Sequence, residues 1–197
     1  MFTGLIEEIG EVKKISHEKT AKRIKVSAKK IMSDIKIDDS VSLNGCCQTV
    51  VNFGSNWFEV IAIEETLRKT TLSEFKSGQK INLERAALPT TRLGGHMVQG
   101  HIDCVGKVVK IAKDGASTLL SISFPTGYNK YIVEHGSICI DGISLTVARL
   151  KKNELTVALI PHTSDVTITN SLRIGSQVNL EFDIIAKYVE SILVNKK

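Results

Sequence analysis

Two short blocks of this sequence carry side chains that could do chemistry, and both follow the same pattern. The first reads Asn-Gly-Cys-Cys-Gln-Thr over residues 44–49, and the second reads Asp-Gly-Ile-Ser-Leu-Thr over residues 141–146. Because side chains alternate along a strand, Cys47 should share a face with the Thr two residues later, and so should Ser144. A thiol or hydroxyl projecting in this way is a candidate nucleophile, provided that a base lies beside it.

The same blocks also have an ordinary structural explanation. Asx-Gly pairs are common in tight turns, and Thr is common in strands, so either block alone indicates a hairpin. No Gly-x-Ser-x-Gly nucleophile motif is present in the sequence. The occurrence of the pattern twice favours a pair of related sites, each containing one block.

The histidines are concentrated in the second half of the chain, where the segment 94–103 reads Gly-Gly-His-Met-Val-Gln-Gly-His-Ile-Asp. If this segment is a strand, His96 and His101 point to opposite faces, so a shared metal ion is not expected. His101 is a candidate for proton transfer because imidazole titrates near neutral pH, while a structural or exposed role stays open. His135 and His162 make the second half richer in titratable groups.

The whole chain repeats itself, not only the two blocks. Gly4 and its neighbours match Gly100 and its neighbours, and the two Asx-Gly blocks match one residue further on. The segment 78–84, Gly-Gln-Lys-Ile-Asn-Leu-Glu, matches 175–181, Gly-Ser-Gln-Val-Asn-Leu-Glu. A register that is nearly constant over the chain indicates a tandem duplication.

Each copy contains about six short alternating segments separated by Gly-rich turns, and a polar segment that could hold a helical turn follows the fifth. The polar segments are residues 64–75 and 161–172. Closure into a small barrel would remove exposed strand edges. The sequence therefore predicts an all-β protein with two tandem six-stranded barrels, in residues 1–92 and 93–183, joined through residues 86–95.

The chain ends with a change of period. Apolar residues from Ile184 onward recur at the spacing of one helix face, which predicts a C-terminal α-helix over residues 184–197. The stripe could pack on the protein's own barrels or against sister subunits, and the second arrangement is favoured. The stripe consists of Ile184, Ile185, Tyr188, Val189, Ile192 and Leu193.

Composition limits the remaining functions. The net charge of +5 includes the Lys-rich stretch 19–30, but apolar residues alternate with its lysines, which favours a solvated strand face over a nucleic-acid contact. No apolar run is long enough to cross a bilayer, and the first ten residues do not resemble a secretory signal. We therefore expect an intracellular, cytoplasmic protein whose four cysteines are free thiols.

Several motifs together are specific enough to indicate a family. They are MFTGLIEEIG at the start, NGCC followed by Thr-Val, ETLR, ERAA, GGHMVQGHID, DGISLTV and IPHT. The combination resembles the riboflavin synthase family, whose members consist of two lumazine-binding repeats, and the resemblance spans the whole chain. It implies two Greek-key barrels, and a homotrimer assembled through the C-terminal helices.

The resemblance also implies an activity. The family transfers a four-carbon unit between two molecules of 6,7-dimethyl-8-ribityllumazine, giving riboflavin and a 5-amino-6-ribitylamino pyrimidinedione, with no cofactor or metal. This transferase reaction is the last step of riboflavin biosynthesis. The reacting pair would lie between the first barrel of one subunit and the second barrel of its neighbour. An association with lumazine synthase stays open, and the alternative function is a non-catalytic lumazine or flavin carrier.

Site residues follow from the same resemblance. The expected catalytic residues are Ser144, Asp141 and His101, assisted by Cys47 and Thr146. The first substrate pocket would use Gly4, Leu5, Ile6, Cys47, Gln48, Thr49, Ile61, Ala62, Ile63, Glu64, Glu65 and Thr66. The second would use Gly100, His101, Ile102, His135, Ser144, Leu145, Thr146, Leu159, Ile160, Pro161, His162, Thr163 and Ser164. At the position of His135 many family members carry Lys.

Overall fold

A computed structural model describes residues 1–194, and it contains two closed antiparallel barrels of six strands each, followed by a helix. The first barrel consists of β1 (Glu8–Glu18), β2 (Ala21–Ser27), β3 (Ser40–Leu43), β4 (Cys46–Gly54), β5 (Trp57–Ala62) and β6 (Lys80–Arg85), with helix α1 (Glu64–Lys69) after β5. The second consists of β7 (Cys104–Asp114), β8 (Ser117–Ser123), β9 (Ser137–Ile140), β10 (Ile143–Lys151), β11 (Glu154–Leu159) and β12 (Gln177–Phe182), with α2 (Pro161–Val166) after β11. The all-β prediction of two tandem six-stranded barrels is confirmed.

The two barrels have the same topology. Around the first barrel the order is β1-β2-β5-β4-β3-β6, and the second repeats this order with β7-β8-β11-β10-β9-β12. Even the irregularities recur, because the ladder shifts at the same place in β1 and β7 and at the same place in β4 and β10. The order brings the third strand between the fourth and the sixth, as in a Greek key. The duplication seen in the sequence is therefore a duplication of structure.

Alternating apolar residues fill the barrels. In β5, Phe58 and Val60 are fully buried, and in β11 Leu155 and Val157 are fully buried at the matching positions. Each barrel has its own apolar core. The Lys-rich segment behaves as predicted, since Ile24 points into the core while its neighbours remain partly accessible. Packing of this kind gives each barrel an apolar core made mainly of its own strands.

The barrels meet at their two Asx-Gly turns. Asn44 and Gly45 have φ values of 45° and 82°, and Asp141 and Gly142 have values of 46° and 84°. These left-handed pairs form tight hairpin turns, which is why Asx-Gly occurs in both copies. The turns touch each other, since a Cβ added to Gly45 would lie 2.7 Å from the Gly142 nitrogen. The interface therefore needs glycine for its closeness as well as for its backbone angles.

Two buried asparagines fasten this contact. Asn82 donates from Nδ2 to the Asp141 carbonyl at 2.9 Å, and Asn179 donates from Nδ2 to the Asn44 carbonyl at 2.8 Å. Each also accepts a backbone N–H of the opposite barrel through Oδ1, at 2.9 Å for Asn82 and 2.8 Å for Asn179. Both side chains are fully buried. Because buried amides are costly without partners, these reciprocal bonds fix how the barrels sit together.

The C-terminal helix α3 (Ile184–Val194) packs with its polar side toward the second barrel. Lys187 forms a 2.6 Å ion pair with Asp103, and Glu190 pairs with Lys130. The stripe from Ile185 to Leu193 stays at least half exposed. The helix does not bury its apolar face on its own barrels. Residues 195–197 of the predicted helix lie outside the described residues.

The segments outside the strands connect the two barrels or connect strands within one barrel. The strands of the first barrel end at Arg85 and those of the second begin at Cys104, so the predicted boundary between residues 92 and 93 falls in the connection. The predicted helical turns at 64–75 and 161–172 hold α1 and α2, each followed by a 3-10 turn. Phe2 forms an isolated antiparallel bridge with Val98, which ties the N-terminus to the connection.

We expect Gly45→Ala to destabilise the protein more than Gly115→Ala. Both glycines have positive φ, so either alanine introduces strain of about 1–2 kcal/mol. Gly115 has no atom within 4 Å of an added Cβ, whereas Gly45 faces the backbone of Gly142. Urea unfolding of the two variants measures the difference. Equal losses of unfolding free energy would contradict a close contact between the turns.

Candidate active site

The block in the first copy forms the start of β4, and its side chains alternate as predicted. Cys47 and Thr49 point outward, while Cys46 and Gln48 are buried. The Gln48 side chain donates from Nε2 to the Cys47 carbonyl at 2.6 Å and is 7% exposed. The Gln48 side chain is therefore occupied within the barrel, and its backbone pairs with Val41 of β3.

The second block repeats this arrangement at the start of β10. Ser144 is half-buried and Thr146 is exposed, whereas Ile143 and Val147 are buried. Leu145 packs against the second core from a partly buried position. The structure thus brings Ser144 and Thr146 to one outward face, matching Cys47 and Thr49 in the other barrel.

An opening in the ladder lies beside each block. Pairing of β4 with β5 begins at Val50–Val60, and pairing of β10 with β11 begins at Val147–Val157. Before those pairs the two strands form no ladder pairs with each other. Main-chain groups at the start of one strand and the end of the other therefore face a gap, where a planar heterocycle with donors and acceptors on its edges could bind. The gap segments are 47–49 with 61–63 and 144–146 with 158–160.

Segments from the opposite repeats border these gaps. The Gly100 carbonyl accepts the Cys47 N–H at 2.8 Å, and the Gly4 carbonyl accepts the Ser144 N–H at 2.8 Å. The sequence-based grouping placed Gly4, Leu5 and Ile6 with Cys47, and Gly100, His101 and Ile102 with Ser144. The structure pairs them the other way, because each segment crosses the interface before entering its own barrel. Ile102 accordingly packs against the core of the first barrel.

A histidine that was not among the predicted site residues contacts Ser144. His96 Nδ1 lies 2.7 Å from Ser144 Oγ, and the imidazole is buried. Burial lowers the pKa of His96, and the charge of Asp183 acts in the opposite direction. A neutral imidazole can accept the hydroxyl proton, so the pair has the geometry of a nucleophile or hydroxyl donor with an adjacent base.

The sequence contained a signal for this contact in Gly94-Gly95. A Cβ on Gly95 would lie 2.2 Å from the Thr3 carbonyl oxygen and 2.8 Å from Ser144 Oγ. Residues 99–103 do not form a strand, so strand alternation does not relate His96 to His101. His101 itself is exposed, and its backbone N–H, at 2.9 Å from Glu181 Oε2, is the group that the structure engages.

The structure places Asp141 in the contact between the two barrels. It is 3% exposed, and its Oδ1 accepts the Asn179 N–H at 2.8 Å, as Asn44 accepts the Asn82 N–H at 2.7 Å. Asn44 and Asp141 both line a cleft of about 750 Å³ between the barrels. Burial raises the pKa of Asp141 to about 7. Asp141 is thus a turn and interface residue, which differs from the expected direct role on the substrate.

The remaining predicted residues, apart from His135, lie at the ends of β5 and β11 or at the starts of α1 and α2, which are called the rims of the two gaps. Ile63 and Ile160 are 59% and 55% exposed at equivalent positions before α1 and α2. His135 has a φ of 65° and donates its N–H to the Val147 carbonyl at 2.8 Å, so it occupies the turn before β9. The other rim residues are Ile61, Ala62, Glu64, Glu65, Thr66, Leu159, Pro161, His162, Thr163 and Ser164, with Ala62 and Leu159 buried.

The cysteines differ in accessibility. All four are free thiols, as predicted. Burial raises the pKa of Cys46 and of Cys104 to about 12, and Cys139 is also buried. Cys47 is half-buried on the outer face. Within residues 1–194, no cluster of three or more His, Cys, Asp or Glu residues has metal-binding geometry, and no helix has the length and apolar content needed to cross a membrane.

Comparison with known proteins identifies this double barrel. The model of the lumazine binding domain matches twice, over residues 3–86 and 99–183. The riboflavin synthase of Actinobacillus pleuropneumoniae is 43% identical, over 100% of this chain and 91% of that protein. The riboflavin synthase of Mycobacterium tuberculosis is 40% identical, over 98% of both chains. The chain belongs to the riboflavin synthase family.

Solved structures support the same fold for this family member. LumP complexed with 6,7-dimethyl-8-(1'-D-ribityl) lumazine has a TM-score of 0.84 at 25% identity, covering 92% of this chain and 99% of that chain. LumP complexed with riboflavin has a TM-score of 0.86 at 26% identity, with the same coverage. The riboflavin synthase resemblance seen in the motifs is therefore confirmed, and the protein is a transferase of riboflavin synthesis.

We expect Asp141→Asn to flatten the dependence of stability on pH. A folded-state pKa raised from 3.8 to about 7 means that Asp141 favours folding below about pH 4, and that this contribution is lost as the pH rises toward 7. Asparagine does not ionise. Between about pH 4 and pH 7, the slope of the unfolding free energy against pH should therefore become shallower by roughly 1 kcal/mol per pH unit. Denaturant unfolding between pH 4 and pH 8 tests this, with the exposed Asp114→Asn as control. If the unfolding free energy depended on pH equally in Asp141→Asn and in the unmodified protein, the buried position of Asp141 would be contradicted.

Proposed function

We propose that the protein transfers a four-carbon unit between two molecules of 6,7-dimethyl-8-ribityllumazine, yielding riboflavin and a 5-amino-6-ribitylamino pyrimidinedione. The observation that carries this proposal is the full-length similarity to riboflavin synthases together with two equivalent gaps, one in each barrel. Two identical substrates suit two related sites. Holding them in a reactive orientation could supply about 7–11 kcal/mol of the barrier.

The second site is the better equipped for proton transfer. Ser144 has the buried His96 as a partner, whereas the Cys47 thiol has no imidazole partner in the part of the chain that the structure describes. We assign Ser144 and His96 to the addition of a nucleophile to the lumazine ring, or to deprotonation of its acidic methyl group. Thr146, Cys47 and His101 assist at the rims. Asp141 acts by holding the turn from which Ser144 emerges.

Backbone groups would read the pyrimidine edge of each lumazine. The gap at β4 and β5 offers main-chain atoms of 47–49 and 61–63, bordered by Gly100 and Ile102. The gap at β10 and β11 offers those of 144–146 and 158–160, bordered by Gly4 and Ile6. The starts of α1 and α2, including the half-buried Thr66 and Thr163, lie where a ribityl chain could continue from the ring.

Assembly with other subunits would bring the two kinds of site together. The apolar stripe of α3 is exposed while its polar side faces the barrel, so burial of the stripe requires another molecule. This supports the homotrimer that the family resemblance implies. In that arrangement the first barrel of one subunit faces the second barrel of its neighbour. A cytoplasmic location stays a prediction from the composition and patterning of the sequence, and an association with lumazine synthase stays open.

Mixing the protein with dimethylribityllumazine and following flavin fluorescence, without an added cofactor, tests the activity. Formation of one riboflavin for every two lumazines consumed would support the proposal. Tight binding of lumazine without conversion would instead favour the carrier function, for which the similarity to LumP is the specific observation. If the protein neither bound nor converted dimethylribityllumazine, both the synthase and the carrier function would be contradicted.

Ser144→Ala and His96→Ala should each lower kcat by roughly 10²–10⁴-fold, the range of a general acid–base contribution. Lumazine binding should change far less, since ring recognition uses backbone groups. Rapid-mixing turnover and equilibrium titration measure the two effects. Ser55→Ala, in the exposed turn between β4 and β5, is a control of similar size. Equal losses in binding and turnover would contradict a role for the pair in the chemical step.

The α3 stripe should determine the association state. Ile185→Glu with Ile192→Glu places two charges on the exposed apolar side, and we expect a smaller species in sedimentation together with reduced turnover. The control is Glu154→Gln, a change of charge outside α3 that is purified and measured in the same way. A monomer with full activity would contradict a site shared between subunits.

A further inference from the structure

Two buried glutamates hold the segments that cross between the barrels. Glu84 lies at the end of β6 and is 4% exposed. Its Oε1 accepts the Thr3 N–H and the Thr3 hydroxyl, both at 2.7 Å, and its Oε2 accepts the Gly4 N–H at 3.1 Å. A side chain of the first barrel thereby fixes the backbone at Thr3 and Gly4.

Glu181 does the same in the second barrel, at the matching position of β12. It is 2% exposed, and its Oε1 accepts the Gln99 N–H at 2.6 Å. Its Oε2 accepts the N–H groups of Gly100 and His101, both at 2.9 Å. Neither Glu84 nor Glu181 forms a salt bridge with another described residue. Burying a carboxyl group without a cation is costly, so the three donors are its main compensation.

Each held segment then completes the edge of the opposite barrel. The carbonyl of Gly4 follows the N–H bound by Glu84 and accepts the Ser144 N–H. The carbonyl of Gly100 follows the N–H bound by Glu181 and accepts the Cys47 N–H. A glutamate of one barrel is therefore one peptide unit away from a main-chain contact at the site of the other.

We propose that Glu84 and Glu181 are positioning residues that act crosswise: Glu84 of the first barrel sets the Ser144 site, and Glu181 of the second barrel sets the Cys47 site. The proposal deepens the proposed function and rests on it for the identity of the ligand. The crosswise arrangement of hydrogen bonds is a property of the chain itself and does not depend on which ligand binds.

The chemistry of the side chain explains why a carboxyl group is needed. A carboxylate has two acceptor oxygens, and each clamp receives three donors on them. Glutamine has nearly the same shape but replaces one oxygen with an NH₂ group, which would face a backbone N–H. A buried donor left unpaired in this way weakens the segment. Glutamine therefore removes the clamp with little change in packing.

Amide hydrogen exchange of the full-length protein tests the crossing. In Glu181→Gln we expect exchange of the Cys47 N–H to accelerate about tenfold, the factor for loss of one ordinary hydrogen bond, while the Ser144 N–H stays unchanged. In Glu84→Gln we expect the reverse. Glu18→Gln removes a carboxylate at a surface ion pair with Arg23 and should change neither amide. A variant that accelerates both amides equally, or the amide of its own barrel, would overturn the proposal.

Ligand binding supplies a second measurement. Titration with dimethylribityllumazine, followed by NMR of the same two amides, should show Glu84→Gln weakening the Ser144 site and Glu181→Gln weakening the Cys47 site. If either glutamine variant does not fold, Glu84→Asp and Glu181→Asp keep the charge and shorten its reach, and the same crosswise order is expected. Absence of lumazine binding by the unmodified protein would count against the proposed function, and the exchange data would still decide the crossing.

Discussion

The structure depends on one constraint: in each barrel, the fourth strand leaves part of its edge unpaired, and the other repeat supplies the missing contact. The ladder between β4 and β5 starts at Val50, and the Cys47 N–H ahead of it bonds to the Gly100 carbonyl. The same relation joins Ser144 to Gly4. Because an unpaired buried amide is costly, the two barrels are bound to each other at the place where each has its gap. Site and interface are thus parts of one arrangement.

The two copies keep this frame and differ in the groups attached to it. The Asx-Gly turns and the bracing asparagines match in position and in hydrogen bonds. The clamping glutamates match in position, and each accepts three hydrogen bonds, of which one comes from the Thr3 hydroxyl in Glu84 and from the His101 N–H in Glu181. By contrast, Cys47 is replaced by Ser144, and Leu5 by His101. Under the proposed function, a symmetric frame would present two like substrates in related poses. Different groups on that frame allow the two molecules to take different parts in one reaction.

The sequence predicted the fold well because its signals are local. The alternation of side chains along the strands predicted which residues share a face. The Asx-Gly pairs predicted the hairpin turns, and the internal repeat predicted two barrels. The family resemblance supplied the ligand and the residues at the rims. The crosswise pairing of Gly4 with Ser144 could not be predicted, because it depends on how two finished barrels pack. The contact of His96 with Ser144 could not be predicted for the same reason, because the two residues are distant in sequence.

Asp141 shows a different limit. The family resemblance implied a catalytic role for it, but a left-handed turn directs its carboxyl group into the interface, where Asn44 occupies the equivalent position. Spacing along a hairpin does not report which side of the turn a group occupies. The comparison between the two copies was the better guide, since a position filled by an amide in one copy does not require an acid.

The crossing of the segments has a consequence for how such a protein could have arisen. Nothing in the main-chain bonds between Gly4 and Ser144, or between Gly100 and Cys47, requires both barrels to be on one chain. Two separate molecules of a single barrel could exchange their leading segments in the same manner and form a symmetric pair with two identical gaps. Fusion of the genes would preserve that pair, and each half would then be free to change its reactive groups independently of the other.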